Sequence, residues 1–252
     1  MASRYEEVAR DLREAINRGD YKPGETIPHQ RELTERYGVS LYTVREAIGL
    51  LQSEGLITPI RRKGTVVRDR TAVRIPLTRY SRVLAPGGTK GPWEQACADQ
   101  GIDGRAEVVS VERVDAEERI AQALGIAPGS PVVYRQRHMW AGAQVAQIQK
   151  AWLPLELVEG TPLAEETKVE GGVYGALTAL GHPPASTTET VTAQQPTPED
   201  IEVMKLVPST PVLVIERITF GEDGSVLEVL RSVGDADRVQ AVYDQMPLNG
   251  GG

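Results

Sequence analysis

The sequence predicts an α+β protein of two domains, a small helical one carrying a two-stranded hairpin over residues 1–75 and an antiparallel sheet with packed helices over 76–252. Three observations predict it. A chain of 252 residues is long enough for two cores of ordinary size. Its first seventy residues show three amphipathic helical patterns in close succession, followed by a short basic hairpin pattern. Beyond them, a helix-then-hairpin pattern occurs twice.

Tyr5, Val8, Ala9, Leu12 and Ile16 recur at helical spacing, and Gly19 stands where a left-handed residue stops a helix. "YKPGETIP" holds Pro23-Gly24, a turn signal, and "HQRELTERYG" then reads as a second short helix with Leu33 and Tyr37 inward and Gly38 as its stop. Ser40 can cap a third helix whose stripe is Val44, Ala47, Ile48 and Leu51, ended by Gly55. Two short helices a tight turn apart form a helix-turn-helix, which directs the N-terminal turns of its second helix into a DNA major groove. That placement accounts for Ser40, Tyr42, Thr43 and Arg45 crowding the start of the third helix, off its apolar stripe. An arginine there can donate two hydrogen bonds to guanine O6 and N7, while hydroxyls hold phosphate. "LITPIRRKGTVVRD" reads as two strands joined by a basic turn, a wing whose Arg61, Arg62 and Lys63 reach backbone or minor groove. Taken singly, Ser40 and Thr43 are ordinary caps and Arg45 beside Glu46 an ordinary solvated face. Three helices, a cap, a tight turn and a basic hairpin in order favour the DNA-binding reading.

Charge agrees once it is divided along the chain. The whole carries −7, but residues 1–75 hold 14 Lys+Arg against 11 Asp+Glu, or +3, and residues 76–252 hold 14 against 24, or −10. The composition, 40% hydrophobic and 25% charged, is that of a soluble protein, and no run is apolar enough for a membrane span. Acidic residues in "MASRYEEVAR" argue against a secretory signal, so a cytoplasmic location is expected. The single Cys97 excludes an intramolecular disulfide and reads as a buried small hydrophobe. His29, His138 and His182 lie far apart without ligand spacing, so neither a metal site nor a cofactor is expected.

Over residues 5–67 the chain resembles the GntR-type bacterial transcription regulators, through "YEEVARDLREAINRGDYKPGETIP", "RELTERYGVS", "TVREAIGLLQSEGLI" and "KGTVV". The resemblance implies DNA contacts from Arg31, from Ser40, Tyr42, Thr43 and Arg45, and from Lys63, Gly64 and Thr65 in the wing. Two positions depart from the family pattern. Leu41 stands where Arg is common and Arg62 where Gly is common, so the operator need not match the commonest family sequence.

A Gly- and Pro-rich linker, "RTAVRIPLTRYSRVLAPGGTKGPWEQ", is expected next, with the domain boundary near residue 75. "LGIAPGSPVVYRQRHMWAGAQVAQIQ" and "LVPSTPVLVIERITFGEDGSVLEVLRS" each give a Pro-Val entry, a strand, a Gly-containing turn and a return strand. Each follows a helix-like run, "DAEERIAQAL" or "TPEDIEVMKL", and "GGVYGALTALG" between them reads as another short helix. Arg135 and Arg137 share one sheet face, as do Gln147 and Gln149 on the return strand. That face is either solvated or lines a pocket. Aligning the repeats at Pro-Val sets Arg217 against Arg137, and aligning them at the turn glycines sets Arg231 against Gln149. A pocket between the hairpins would then gather arginines suited to carboxylate or phosphate.

Residues 77–242 look like the UTRA ligand-binding domain of the HutC subfamily, through "ERVDAEERIAQALGIAPGSPVVYRQR", "AWLP", "GGVYGAL" and "EVLRSVGDADR". The resemblance implies a chorismate-lyase-like fold and an effector held by Arg135, Arg137, Gln149, Tyr174 and Arg231, with Gln147 beside them. Gln149 stands where the family usually has Glu. The expected function is a dimeric regulator of transcription, a repressor whose hold on a palindromic double-stranded DNA operator is released by a small molecule, anionic in keeping with the arginines. Competing readings are a chorismate-lyase-like enzyme, disfavoured because no general acid or nucleophile stands beside the arginines, and a constitutive DNA-binding protein whose second domain only dimerises.

Overall fold

The first three helices form where their ends can be satisfied locally and their apolar stripes can meet. The computed structural model describes residues 3–60, 62–68, 72–76, 90–169, 171–206 and 210–243. Helix α1 (Arg4–Arg18) starts with the Ser3 N–H donating to Glu6 Oε2 at 2.7 Å and stops at Gly19 in the left-handed region, φ +85°. Helix α2 (Gln30–Tyr37) stops at Gly38 in the same region. Helix α3 (Leu41–Ser53) is capped as predicted, Ser40 Oγ accepting from the Thr43 N–H at 3.2 Å. Leu12, Leu33, Val44, Ala47 and Leu51 are completely buried in one core, with Tyr5, Ile16 and Tyr37 packed at its margin. Burial of each leucine contributes about 1.5–3 kcal/mol. The Arg13 guanidinium grips both Glu54 oxygens, at 2.9 and 2.5 Å, tying α1 to the end of α3.

The wing is β1 (Ile57–Ile60) paired antiparallel with β2 (Gly64–Val67). The segment read only as a turn does more. The Ile27 N–H donates to the Thr65 carbonyl and the Val67 N–H to the Glu25 carbonyl, with a bridge from Thr26 to Val66, so residues 25–27 lie along β2 as a third extended segment. The wing turn closes by Lys63 N–H to Ile60 C=O at 3.0 Å, and Arg62, third of its four residues, has φ +67°. A side chain in that region carries a backbone cost, which is why glycine suits the position.

The chain divides into two compact units, one of Met1–Thr71, the other taking in Ala72–Leu206 and Pro211–Gly252. The boundary thus falls a few residues before the expected position, because β3 (Val73–Pro76) pairs parallel with β10 (Val239–Val242) inside the second unit. Residues 77–89 of the expected linker lie outside the described residues. Its last part is a helix, α4 (Pro92–Ala98), begun by a proline at its first position and packed by Trp93, Ala96 and Cys97 against Val73, Ile75 and Val239. Burial pushes the Cys97 thiol up to about 11, in keeping with a structural role. A Cβ at Gly104 would collide with the Cys97 side chain.

The second unit is built on one antiparallel sheet in the order β4-β5-β6-β9-β8-β7. Its strands are β4 (Gly104–Asp115), β5 (Pro131–Ala141), β6 (Gln144–Pro154), β7 (Pro184–Gln194), β8 (Val212–Gly221) and β9 (Val226–Asp235). Both predicted helix-plus-hairpin units are present, α5 (Glu118–Leu124) before β5–β6 and α8 (Pro198–Met204) before β8–β9. Each has a further strand ahead of it, β4 or β7, that pairs on the outside, and the halves meet where β6 pairs β9. Helices α5 and α8 cover one sheet face through Ile120 and Leu124 and through Met204. The other face takes the short α6 (Leu155–Val158) and the predicted helix α7 (Gly172–Ala179), whose Val173, Tyr174 and Leu177 pack on Val133, Leu153 and Leu227.

Replacing Arg62 by glycine should relieve the left-handed backbone and stabilise the first unit by about 1 kcal/mol. Urea unfolding of the full chain followed by a probe in the first unit checks this; an unchanged or lower midpoint would remove strain from the account of the wing.

Candidate nucleic-acid interface and effector pocket

Two places gather the functional side chains, one in each unit. In the first, the start of α3 faces solvent: Tyr42 is 72% exposed, Arg45 is exposed and Leu41 is 43% exposed. Leu41 thus offers an apolar contact, suited to a thymine methyl, where an arginine would offer charge. Ser40 and Thr43 are held together, their hydroxyls 2.9 Å apart, so capping and any phosphate contact use the same groups. Arg45 Nε donates to Gln30 Oε1 of α2 at 3.3 Å. That bond orients the guanidinium from its base and leaves the terminal nitrogens, the pair that fits guanine.

Arg31 projects from the first turn of α2 with its side chain 90% exposed, 3.7 Å from Glu35. In the wing, Arg62 and Lys63 are exposed and Gly64 and Thr65 half-buried; Lys63 Nζ donates to the Gly24 carbonyl at 3.1 Å. Arg61 lies outside the described residues. Every other residue predicted to touch DNA thus lies, at least partly exposed, at the start of α2, at the start of α3 or in the wing.

In the second unit a pocket opens between the sheet and residues 91–94, 168–169 and 171–174. Antiparallel register decides its lining. Arg137 lies opposite Gln149, which lies opposite Ser232; Arg135 lies opposite Ala151, which lies opposite Leu230, beside Arg217 and then Glu189. Arg135, Arg137, Gln147, Gln149 and Tyr174 all line the pocket, so the predicted arginine face is a cavity wall rather than a solvated surface.

Arg231 does not join them. Side chains alternate along β9, so Glu228, Leu230 and Ser232 face the pocket while Arg231, opposite Lys150 and Glu216, faces the other side and donates to Gln194 Oε1 at 3.3 Å. Aligning the repeats at their turn glycines shifts this strand by one face. The pocket receives Arg217 from β8 instead, the residue that the Pro-Val alignment picked out. Its guanidinium is paired with Glu189 Oε1 at 2.6 Å, both side chains nearly buried.

Arg135 carries a different role from the one its spacing suggested. It is 1% exposed, with NH1 donating to the carbonyls of Leu163 at 2.6 Å and Glu165 at 2.9 Å and NH2 to that of Thr167 at 3.1 Å. It braces the loop leading towards α7. Desolvation, and then the neighbouring Arg137, pull its pKa down to about 10, which leaves it charged at neutral pH.

Glu228 and Ser232 were not singled out by sequence reasoning. Glu228 is 2% exposed; burial raises its carboxyl above the usual range, opposed by Arg137, Arg217 and Arg135 and by a hydrogen bond from Tyr174. Tyr174 also shares a 2.6 Å hydroxyl contact with Thr219. Ser232 Oγ and Arg135 Nε are among the buried polar atoms of the pocket residues that find no partner among the described residues. The Gln149 amide donates to Gln147 Oε1 at 3.0 Å, a bond that fixes the orientation of both.

Comparison with known proteins agrees with both halves. Residues 4–67 match the model of the bacterial regulatory proteins of the gntR family, and residues 99–240 match the UTRA domain. The Streptomyces coelicolor HTH-type transcriptional regulator SCO4628 is 31% identical over 252 residues, covering 96% of this chain and 93% of that protein. The Bacillus subtilis HTH-type transcriptional repressor NagR is 23% identical over 242 residues, covering 95% and 93%. A crystal structure of a GntR-family transcriptional regulator superposes with a TM-score of 0.63 at 32% identity over 98% of both chains. These relatives are regulators of transcription rather than enzymes, which removes the lyase reading. The chain therefore belongs to the GntR family of bacterial regulatory proteins and is a DNA-binding transcriptional regulator with a UTRA domain.

Proposed function

We propose that this regulator is a homodimeric repressor that grips a palindromic operator with Arg31, the start of α3 and the wing, and lets go when a small anion enters the UTRA pocket. The observation that carries the ligand half is that buried polar atoms at one cavity, Ser232 Oγ and Arg135 Nε among them, have no partner among the described residues. Leaving such a group unsatisfied costs on the order of 1–3 kcal/mol, which a hydrogen-bonding ligand recovers.

Charge supports an anion. Four cations, Arg135, Arg137, Lys168 and Arg217, line the pocket. Lys168 is taken by Glu94 at 2.8 Å and Arg217 by Glu189. Among the described residues that line the pocket, Glu228 lies within reach of the charges of Arg135, Arg137 and Arg217, and burial already biases it towards its neutral form. Gln149 adds an amide in place of the family's usual carboxylate and keeps the balance positive.

The repressor reading follows relatives such as NagR, a repressor by name. A twofold dimer reads an inverted repeat, one half-site per wing and α3. Ligand weakens the complex only by preferring a dimer geometry that misplaces the half-sites, and operator must weaken ligand binding by the same factor. Hundredfold release requires roughly 2.7 kcal/mol of preference, within the usual range of allosteric coupling. Fluorescence anisotropy of a promoter fragment, titrated with the protein and then with small carboxylates and phosphates, tests the proposal; a complex unaffected by every anion that raises the thermal midpoint of the protein would leave a regulator with an uncoupled pocket.

Arg45→Ala should weaken operator binding by about 1–3 kcal/mol and relax preference at one base pair per half-site, read by competition with single-base operator variants. Equal loss on random DNA would reassign Arg45 to phosphate. The two pocket arginines should separate. Arg137→Ala should keep fold and operator affinity but lose the ligand-induced thermal shift, whereas Arg135→Ala should lower stability by about 1–3 kcal/mol even without ligand, because the loop carbonyls lose their donor. Calorimetric scans of both variants with and without ligand check the split, and identical behaviour would refute it.

A further inference from the structure

The effector pocket is not of one chemistry along its length. Its middle is a row of groups opposed in register across three strands, Arg137 on β5, Gln149 on β6 and Ser232 on β9, with Val108 of β4 beside Arg137. Two residues further along β5, about 7 Å away, the row becomes Ala106, Met139 and Gln147. Ile75 of β3 and Trp93 of α4 line the cavity too and belong with Met139 and Ala106 to one apolar cluster, so this end is walled by hydrocarbon. The polar groups near it are already engaged. Trp93 Nε1 donates to the Trp140 carbonyl at 2.9 Å, which leaves the cavity only the ring. Glu94 accepts from Lys168 Nζ at 2.8 Å and from the Gly91 N–H at 3.2 Å, and Gln147, 2% exposed, accepts from the Gln149 amide at 3.0 Å.

Resting on the anion proposed above, we infer that the effector is an organic acid with an apolar body, its charged head at the row of Arg137 and Ser232 and its hydrocarbon against Ile75, Trp93, Ala106 and Met139. A sugar phosphate or other polyhydroxylated acid carries a hydroxyl on almost every carbon. Each hydroxyl buried at the apolar end needs a partner, and the polar groups there among the described residues are committed to one another. A methylene there needs none and gains by leaving water. The head stays where Ser232 Oγ, buried and without a partner among the described residues, can donate and where arginines supply positive charge. Strand geometry ties the two ends together. Two residues of β5 separate the row that meets charge from the row that meets hydrocarbon, so a head and a body joined by a few bonds reach both.

Calorimetric titration of the full chain with acetate, butyrate, hexanoate and octanoate tests the class, with hexanol, inorganic phosphate and glucose 6-phosphate as comparators. Carboxylate affinity should rise about fourfold per methylene, the transfer value for a buried CH2, until the apolar end is filled. Hexanol, which has the body without the head, should bind roughly tenfold more weakly than hexanoate, or worse. Ala106→Asn, which sets an amide in the apolar end, should weaken hexanoate roughly tenfold more than acetate. Affinity that stays flat with chain length, or glucose 6-phosphate bound more tightly than every carboxylate, overturns the apolar body and leaves an anion pocket standing. Hexanol bound as tightly as hexanoate overturns the charged head. A protein that binds none of these anions overturns the anion reading as well. Should Ala106→Asn fail to fold, the wild-type series still decides.

Discussion

The period-two alternation of one antiparallel sheet governs the larger unit. Because successive side chains point to opposite faces, each strand commits every second residue to the cavity and the remainder to the layer of α5 and α8. Arg135, Arg137 and Met139 come from β5, Gln147 and Gln149 from β6, Glu228 and Ser232 from β9 and Arg217 from β8. A slip of one residue in any strand would exchange its members with their neighbours, as the contrast between Ser232 and Arg231 shows. Helices on one side and a cavity on the other are the consequence of a sheet whose faces are each buried by something different.

Burying charge on that scale demands compensation, and the structure shows how it is arranged. A buried ionic group is tolerated when it is paired or when hydrogen bonds replace its hydration. Arg217 has Glu189, Arg135 has four loop carbonyls, and Glu228 has arginines around it and Tyr174 beside it. Among the described residues the compensation stops short at some atoms of the pocket, Ser232 Oγ and Arg135 Nε among them. A cavity whose charges are mostly neutralised from within asks little of its ligand in raw Coulomb energy and much in hydrogen-bond geometry. Discrimination between ligands then rests on which group can reach those last donors.

The smaller unit is organised on the opposite principle. Its core consists of fully buried aliphatic side chains, and its charged groups stay in water, where ion pairs such as Arg31–Glu35 contribute little and leave the arginine available. Gln30 holding Arg45 is a neutral version of the same economy: one hydrogen bond restricts the side chain without neutralising it. Charge excess and exposure therefore coincide at the ends of α2, α3 and the wing.

Much of this was legible in the sequence because its signals were local. Helix stops at Gly19 and Gly38, the cap at Ser40 and the stripe through Val44, Ala47, Ile48 and Leu51 each depend on residues within a few positions, and so does the placement of Arg135 with Arg137 on one face. β4 and β7 were not legible. The bulge in β4 changes the phase of its alternation halfway along, and β7 is exposed on both faces, so neither presents a continuous apolar rhythm. Only the tertiary structure decided that the arginine face is a cavity wall, that Arg217 and Glu228 enter it while Arg231 does not, and that Arg135 serves the loop. The physical reason is that pairing across strands and burial of charge are set by residues tens of positions apart, and local spacing carries no record of which of them will meet.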